Sequence, residues 1–186
     1  MATELEAKIQ VPDHAPLREK LKSAGAERVK SELEVNTFFD TPDHSLQSAD
    51  KGLRIRIATD ESGHQKCTVT MKGALQKAQY KSREETQFTA DDPAAVEQLF
   101  RNLGFAPTLS FEKRRETWLL DDCEIALDEL PLLGKYVEIE GKTEQDISRA
   151  RAALGLEHSP LISTGYISLL ARLLEQRHIT DRNIRF

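Results

Sequence analysis

Three ionisable side chains alternate with apolar residues in the first strand-like segment, TELEAKI. In an extended chain Glu4, Glu6 and Lys8 share one face, because successive side chains point to opposite sides. Two neighbouring carboxylates repel each other unless a counter-ion is present, and a hard divalent cation prefers such oxygen ligands. An ammonium group beside them suits phosphate. The segment therefore favours a site that binds charged ligands.

The same alternation recurs in the segments GLRIRI, CTVTMKG, SREETQF, SFEKRRETW, CEIALDEL and KYVEIEG. For one strand, a charged face opposite an apolar face is the ordinary pattern of an antiparallel sheet with one side in water. Across the set this explanation weakens, because solvated faces usually contain more Thr, Ser and Gln. The shared charged faces carry the bases Lys8, Arg54, Arg56, Lys72, Arg83, Lys113 and Arg115 and the acids Glu4, Glu6, Glu85, Asp128, Glu138 and Glu140.

These charges are segregated into like pairs along the strands. The basic pairs suit a polyanion, since a guanidinium group binds phosphate through two hydrogen bonds. The acidic pairs suit a metal ion. Acids that bind metal beside bases that bind phosphate are the arrangement of phosphoryl-transfer sites. The basic pairs are Arg54/Arg56 and Lys113/Arg115, and the acidic pairs are Glu4/Glu6 and Glu138/Glu140.

The elements that must position these residues are mostly strands. Apolar periodicity predicts helices over residues 15–24, 93–103, 143–154 and 160–178, and the remainder predicts an α+β chain dominated by antiparallel sheet. The helices must cover the apolar sheet faces, so the charged faces turn away from them. A sheet of about eight strands curled around its charged face would be a barrel with a polar lumen. The polar C-terminal segment RHITDRNIRF is expected to be loosely ordered.

Composition excludes several classes of protein. The 186 residues, 31% of them charged, fit one domain, and the net charge of −5 gives no basic field for nucleic acid. No apolar run reaches the roughly 18 residues of a membrane helix, and the N-terminus does not resemble a signal peptide. Cys67 and Cys123 form no CxxC pattern, and the five His residues have no metal-binding spacing. We expect a cytoplasmic protein, either a monomer or a homodimer.

The motifs, taken in order, resemble those of the CYTH family, also called triphosphate tunnel metalloenzymes. The resemblance covers nearly the whole chain and predicts one CYTH domain over residues 1–186. It begins with ELEAK, the ExExK form of the family, and ends with TGYISLL in the last predicted helix. Between them lie FFDTPDHSL, LRIR, TMKG, REE, EKRR and ALDELPLLGKYVEIEG.

The resemblance implies an eight-stranded antiparallel barrel, open as a tunnel with a charged lumen, with helices packed outside. It also implies a site for Mg²⁺ or Mn²⁺, with two ions when substrate is bound. The metal-side acids would be Glu4, Glu6, Asp128, Glu138 and Glu140. The groups that hold the triphosphate would be Lys8, Arg54, Arg56, Lys72, Arg83, Lys113 and Arg115. Catalytic roles would fall to Glu85, as a further tunnel acid, and to Lys8 and Arg56.

Three functions follow from the resemblance. The first is metal-dependent hydrolysis of tripolyphosphate, thiamine triphosphate or a nucleoside triphosphate. The second is class IV adenylate cyclase activity, converting ATP to cyclic AMP and pyrophosphate, and the third is a non-catalytic triphosphate or nucleotide sensor. Bacterial cyclases of that class carry a His-Phe pair before ExExK, whereas only three residues precede Glu4. The WLR of small animal thiamine triphosphatases is GLR here, at Gly52.

Two further residues are left outside the predicted site. Glu124 is in phase with Asp128 but lies near a strand end. Tyr166 is expected to anchor the last helix, with the tunnel mouth as the alternative position.

Overall fold

The computed structural model describes the backbone of residues 3–74 and 81–186 and the side chains of residues 5–74 and 84–186. Its strands are β1 (Thr3–Val11), β2 (Glu27–Asp40), β3 (Gly52–Asp60), β4 (Gln65–Lys72), β5 (Lys81–Ala90), β6 (Ala106–Leu120), β7 (Cys123–Leu130), β8 (Gly134–Gly141) and β9 (Asn183–Ile184). Its helices are α1 (Ala15–Ser23), α2 (Ser45–Ser48), α3 (Pro93–Asn102), α4 (Glu144–Ala153) and α5 (Tyr166–Gln176). The predicted α+β class is confirmed.

Eight strands form a closed antiparallel ring. Their order is β2-β3-β4-β5-β1-β8-β7-β6, and a further pairing between β6 and β2 joins the two ends. That ladder is long, running from Glu27 opposite Leu119 to Asp40 opposite Ala106. The predicted eight-stranded antiparallel barrel is confirmed.

Alternation along the strands puts charged side chains inside the ring and apolar side chains outside it. On β8, Glu138 lines the interior, whereas Val137 and Ile139 are fully buried beneath helices. Residues of α1 and α4, including Leu21 and Ile147, pack on this outer apolar face. Each such fully buried aliphatic side chain contributes about 1.5–3 kcal/mol, so the outer core holds the ring together.

Helix α5 packs differently, because it lies against residues that face inward. Its buried Leu170 and Leu174 join an apolar cluster with Phe38, Phe111 and Tyr136. Phe38 and Phe111 also line the interior of the ring. Helix α5 therefore packs over part of the lumen, and its first residue lies in the lumen wall.

The last helix begins later than the sequence predicts, at Tyr166 rather than at residue 160. Gly165 is the N-cap, with extended φ and ψ of −69° and 155°, so the preceding segment leaves the helix. The short helix α2 was not predicted. The carboxylate of Asp40 stabilises this helix, because it accepts hydrogen bonds from the backbone N–H groups of Leu46 and Gln47 at 2.9 Å each. None of the helices, over the described residues, combines the length and apolar character that a bilayer span needs.

The C-terminal segment is ordered, contrary to expectation. Strand β9 pairs in parallel with Ser110 and Phe111 of β6, and Ile184 is buried in the cluster under α5. The ring of Phe186 lies 3.9 Å from the guanidinium of Arg114. Strand β7 pairs with β6 only from Arg114 onward, so the part of β6 before Arg114 can accept β9 along the same edge. The polar composition of the segment gave no sign of this pairing.

Candidate functional site

A cavity of about 990 Å³ lies inside the ring of strands, and every strand of the ring contributes a charged side chain to its wall. Of the predicted site residues, those that line it are Glu6, Lys8, Arg54, Arg56, Lys72, Glu85, Lys113, Arg115, Glu138 and Glu140. The side chains of Glu4 and Arg83 lie outside the described residues, although their backbones pair across β1 and β5. Asp128 lies behind the wall.

The basic part of the wall is organised around Glu34 of β2, which is 1% exposed. Its carboxylate accepts a hydrogen bond from Arg56 Nη1 at 3.0 Å and lies 3.1 Å from Lys113 Nζ. Burial alone would raise the pKa of Glu34, but Lys113 and Arg56 hold it well below its ordinary value. Glu34 is therefore ionised at neutral pH and fixes one cation from β3 and one from β6.

Arg54 is a cation of the wall that no carboxylate of the described residues contacts directly, and its hydrogen bonding is incomplete. Its Nη2 donates to Thr70 Oγ1 at 3.4 Å, and its buried Nε has no hydrogen-bond partner among the described residues. Burial and then repulsion from Arg56 lower the pKa of Arg54 to about 10, so it stays charged at neutral pH. Because Arg54 lines the cavity, its guanidinium group is suited to bind an anion that enters there.

Arg115 of β6 is held from behind by Asp128 of β7. Its Nε and Nη2 donate to the two carboxylate oxygens of Asp128 at 2.7 and 2.6 Å, and it also pairs with Glu138. Burial alone would lower the pKa of Arg115, but Asp128 and Glu138 raise it well above its usual range. Asp128 is fully buried and further contacted by Lys113 and Tyr166. The structure does not bring this predicted metal-side acid to the cavity, and its surroundings suit a residue that positions Arg115.

The acidic part of the wall lies on the neighbouring strands β1 and β8. In the ladder Glu6 is opposite Glu140, and Lys8 is opposite Glu138. Lys8 Nζ lies 3.3 Å from the carboxylate of Glu6 and 3.1 Å from that of Glu138. Burial alone would lower the pKa of Lys8, but Glu138 and Glu6 raise it above its ordinary value. Lys8 is therefore a cation bound between two carboxylates.

These carboxylates have the chemistry of ligands for Mg²⁺ or Mn²⁺. Across the described residues, no three acidic, His or Cys side chains are gathered closely enough to hold an ion as they stand. Lys8 and Arg115 contact the oxygens of Glu6 and Glu138 in this arrangement. Phosphate oxygens could take over the hydrogen bonds of these cations and supply further metal ligands. The donor set thus fits a hard cation that binds together with a phosphate group.

On the adjoining strands, Lys72 of β4 and Glu85 of β5 are opposite each other and form an ion pair. Next to them Thr70 donates to Gln87 at 3.3 Å. The carboxylate of Glu85 is 22% exposed, so it keeps contact with the cavity. Its predicted catalytic role stays a prediction.

Strand β2 contributes polar residues to the wall that the sequence motifs did not predict. Glu32, Glu34 and Asn36 line the cavity. The signal was present in KSELEVNTF, which alternates in the same way as the quoted segments and whose Lys30 also lines the cavity. Glu124, which the prediction left out, also lines the cavity, opposite Glu140.

One end of the cavity is apolar. Phe38 and Phe111 stack there with ring centroids 5.9 Å apart, and Leu109 lies beside them. Ile167 and Ala171 of α5 line the same cavity. The cavity thus combines a charged part, suited to phosphate groups, with an apolar part that can accept an organic group.

Comparisons with known proteins agree with this architecture. A candidate adenylate cyclase of Methanocaldococcus jannaschii is 28% identical over 175 residues, covering 89% of this chain and 97% of that protein. The structure of PH1819 from Pyrococcus horikoshii has a TM-score of 0.80 and 26% identity, covering 91% of this chain and 99% of that one.

A third relative carries a described activity. It is a candidate adenylyl cyclase from Hippeastrum, reported to have a dominant triphosphatase activity. It has a TM-score of 0.70 and 21% identity, covering 92% of this chain and 96% of that one, and at this identity it shows the shared fold alone. The family model of the CYTH domain matches residues 2–156, so the chain belongs to the CYTH domain family.

Proposed function

We propose that this protein hydrolyses a triphosphate in a divalent-metal-dependent reaction inside the charged cavity. The observation that carries the proposal is the charged guanidinium of Arg54, whose buried Nε has no partner in the described part of the chain and which lies beside a second arginine. A buried cation with an unsatisfied N–H donor in a low-dielectric cavity favours an anionic ligand. A triphosphate brings enough negative charge to engage several of the wall's cations together.

Each basic residue has a distinct part in binding. Arg54 and Arg56 approach from β3, whereas Lys113 and Arg115 approach from β6. Glu34, which is part of the wall, fixes Arg56 and Lys113 before substrate arrives, and Asp128, which lies behind the wall, fixes Arg115. Preorganised donors stabilise charge on a transferring phosphoryl group without reorganising during the reaction. Arg83 is proposed to join them from β5.

In the proposed reaction, water attacks the terminal phosphorus, a new O–P bond forms, and the P–O bond to the bridging oxygen breaks. The leaving group is a diphosphate. Glu85 is proposed to orient the water and accept its proton, with Lys72 holding its carboxylate. A bound Mg²⁺ or Mn²⁺ would neutralise phosphate charge, and we assign its protein ligands to Glu6, Glu138 and Glu140, with Glu4 as a predicted further ligand. Metal dependence is general in the CYTH family.

Adenylate cyclase activity is the second candidate. It is supported by the apolar end of the cavity, with Phe38 and Phe111, which could hold a nucleoside beside the phosphates. It is also supported by the name of the Methanocaldococcus jannaschii relative. In that reaction the ribose 3′-hydroxyl attacks the α-phosphorus and pyrophosphate leaves.

A product assay tests both candidates. Protein is incubated with tripolyphosphate, thiamine triphosphate or ATP, each with Mg²⁺, with Mn²⁺ or with a chelator, while orthophosphate and cyclic AMP are quantified. We expect metal-dependent orthophosphate without cyclic AMP. Cyclic AMP with pyrophosphate would establish the cyclase instead. Binding without either product would refute both enzymes in favour of a sensor.

Arg54 and Arg114 offer a matched pair of variants for this assay. Arg54→Gln removes a cation that faces the cavity, whereas Arg114→Gln removes one that faces outward on β6 and is 58% exposed. We expect Arg54→Gln to lose most turnover and Arg114→Gln to keep it. Equal activity in the two variants would refute the proposed binding site.

A further inference from the structure

One side chain of the cavity wall, Tyr166, has no part in the reaction proposed above. It is the first residue of α5, is 9% exposed, and lies beyond residues 2–156 that match the family model. Its hydroxyl donates to Asp128 Oδ2 at 3.0 Å. The face of its ring lies 4.2 Å from Lys8 Nζ and 5.7 Å from Lys113 Nζ. One side chain therefore contacts both the acidic and the basic part of the wall.

The ring faces two buried cations and adds to the carboxylates that already pair with them. The side chains of Lys8 and Lys113 are 1% and 5% exposed, so each ammonium group has lost most of its hydration. The electron-rich face of an aromatic ring attracts a cation, and more strongly where water is excluded. Tyr136 packs edge-on against the ring of Tyr166, with centroids 5.2 Å apart, and limits its rotation.

The hydroxyl extends this influence to Arg115. Asp128 holds the guanidinium of Arg115 through both carboxylate oxygens, and Tyr166 donates to one of these oxygens. Burial and the neighbouring carboxylate of Asp128 raise the pKa of Tyr166 well above its ordinary value, so the hydroxyl keeps its proton. The hydrogen bond therefore fixes the carboxylate to which Arg115 is bound.

The segment before Tyr166 is tied to the same lysine. The backbone N–H of Ile162 donates to the carbonyl of Lys8 at 2.8 Å, and Lys8 Nζ donates to the carbonyl of Thr164 at 3.3 Å. On the other side, Leu170 anchors α5 in the apolar cluster. Contacts on both sides of Tyr166 in the chain therefore hold it against Lys8.

We propose that Tyr166 is a positioning residue for triphosphate binding, which holds Lys8, Lys113 and, through Asp128, Arg115 in the arrangement that receives the phosphates. The inference rests on the proposed function of the cavity. It makes α5 part of the site, whereas a residue that merely anchored α5 would act through apolar contacts. The two roles predict different kinetics for folded protein.

The experiment compares Tyr166→Leu, Tyr166→Phe and the control Leu170→Ala. Leu170 is fully buried in α5 but is absent from the cavity wall among the described residues. For each variant, KM and kcat are measured for tripolyphosphate with Mg²⁺, and kcat is expressed per folded molecule. Tm is measured for the same samples. We expect Tyr166→Leu, which loses ring and hydroxyl, to raise KM about tenfold.

Tyr166→Phe keeps the ring and loses only the hydroxyl. Its KM should be about threefold above that of the wild type, which is the effect of one lost hydrogen bond. Leu170→Ala should lower Tm and raise the KM of the folded protein by less than either Tyr166 variant does. That contrast would support positioning rather than anchoring.

Three results would overturn the inference. The first is an unchanged KM in folded Tyr166→Leu or, if that variant does not fold, in Tyr166→Phe. The second is an equal rise of KM in Leu170→Ala, which would show that helix docking alone matters. The third is a wild-type protein that neither binds nor turns over any of the three triphosphates, which would refute the proposed function itself before any variant is compared.

Discussion

Replacing Glu34 with Gln tests whether the buried carboxylate holds the basic wall together. The change keeps the size of the side chain and an oxygen that can accept from Arg56, but it removes the charge that lies between Arg56 and Lys113. Removing one partner of a buried ion pair costs about 3–5 kcal/mol because the other charge stays buried without compensation. Since Gln retains one hydrogen bond, we expect a loss of about 3 kcal/mol in the free energy of unfolding.

For a chain of this length, that loss corresponds to a fall in Tm of about 6–12 °C. The assay is thermal and urea unfolding at neutral pH, followed by circular dichroism. The control is Glu97→Gln, which removes an exposed i,i+4 pair with Arg101 on α3 and should cost about 0.3–0.5 kcal/mol. Equal Tm values for the two variants would refute the argument from burial.

The pH dependence supplies a second check on Glu34. Because its folded-state pKa is held well below the ordinary value, its contribution is fully present above the unfolded pKa of about 4.3. The contribution is lost as the pH falls through the folded-state pKa. The stability difference between the wild type and Glu34→Gln should therefore narrow below about pH 4. A difference that is constant with pH would show that its origin is not the charge of Glu34.

Saturating tripolyphosphate should also restore more stability to Glu34→Gln than it adds to the wild type. The added phosphate supplies the negative charge that the variant lacks beside Arg56 and Lys113. Binding to the native state alone raises stability in proportion to the logarithm of ligand concentration over Kd. An equal rise in both proteins would argue that the anion binds away from Glu34.

The remaining predictions concern β8 and its two faces. Glu138→Gln should lower metal-dependent turnover about tenfold or more and shift the Mg²⁺ titration to higher concentration, since it removes a proposed ligand; an unchanged titration would contradict that role. Ile139→Ala, on the opposite and fully buried face, should cost about 2–5 kcal/mol in urea unfolding without changing the kinetics of the folded protein. A change in KM for that variant would contradict the separation of the two faces.

Most residues of the cavity wall could be predicted from the sequence, because the face on which a side chain lies depends only on its position along its own strand. Alternation assigned Arg54, Lys113 and Glu138 to the lumen, and all three line the cavity. The helices predicted over residues 93–103 and 143–154 are present as α3 and α4, with Asp92 and Thr143 as their N-caps. Alternation does not predict how deeply a side chain is buried. Asp128 is in phase with the wall, but its carboxylate does not reach the cavity.

By itself, the sequence determined that the chain would form strands with one charged and one apolar face, and that helices such as α1 and α4 would cover the apolar side. The two-residue period of an extended backbone is sufficient for that result. Only the tertiary structure decided which charges meet, as when Glu34 joins Arg56 and Lys113, or when Tyr166 of the last helix reaches Lys8. Those contacts depend on strand register around a closed ring and on the docking of a distant helix, and neither is encoded in the spacing of neighbouring residues.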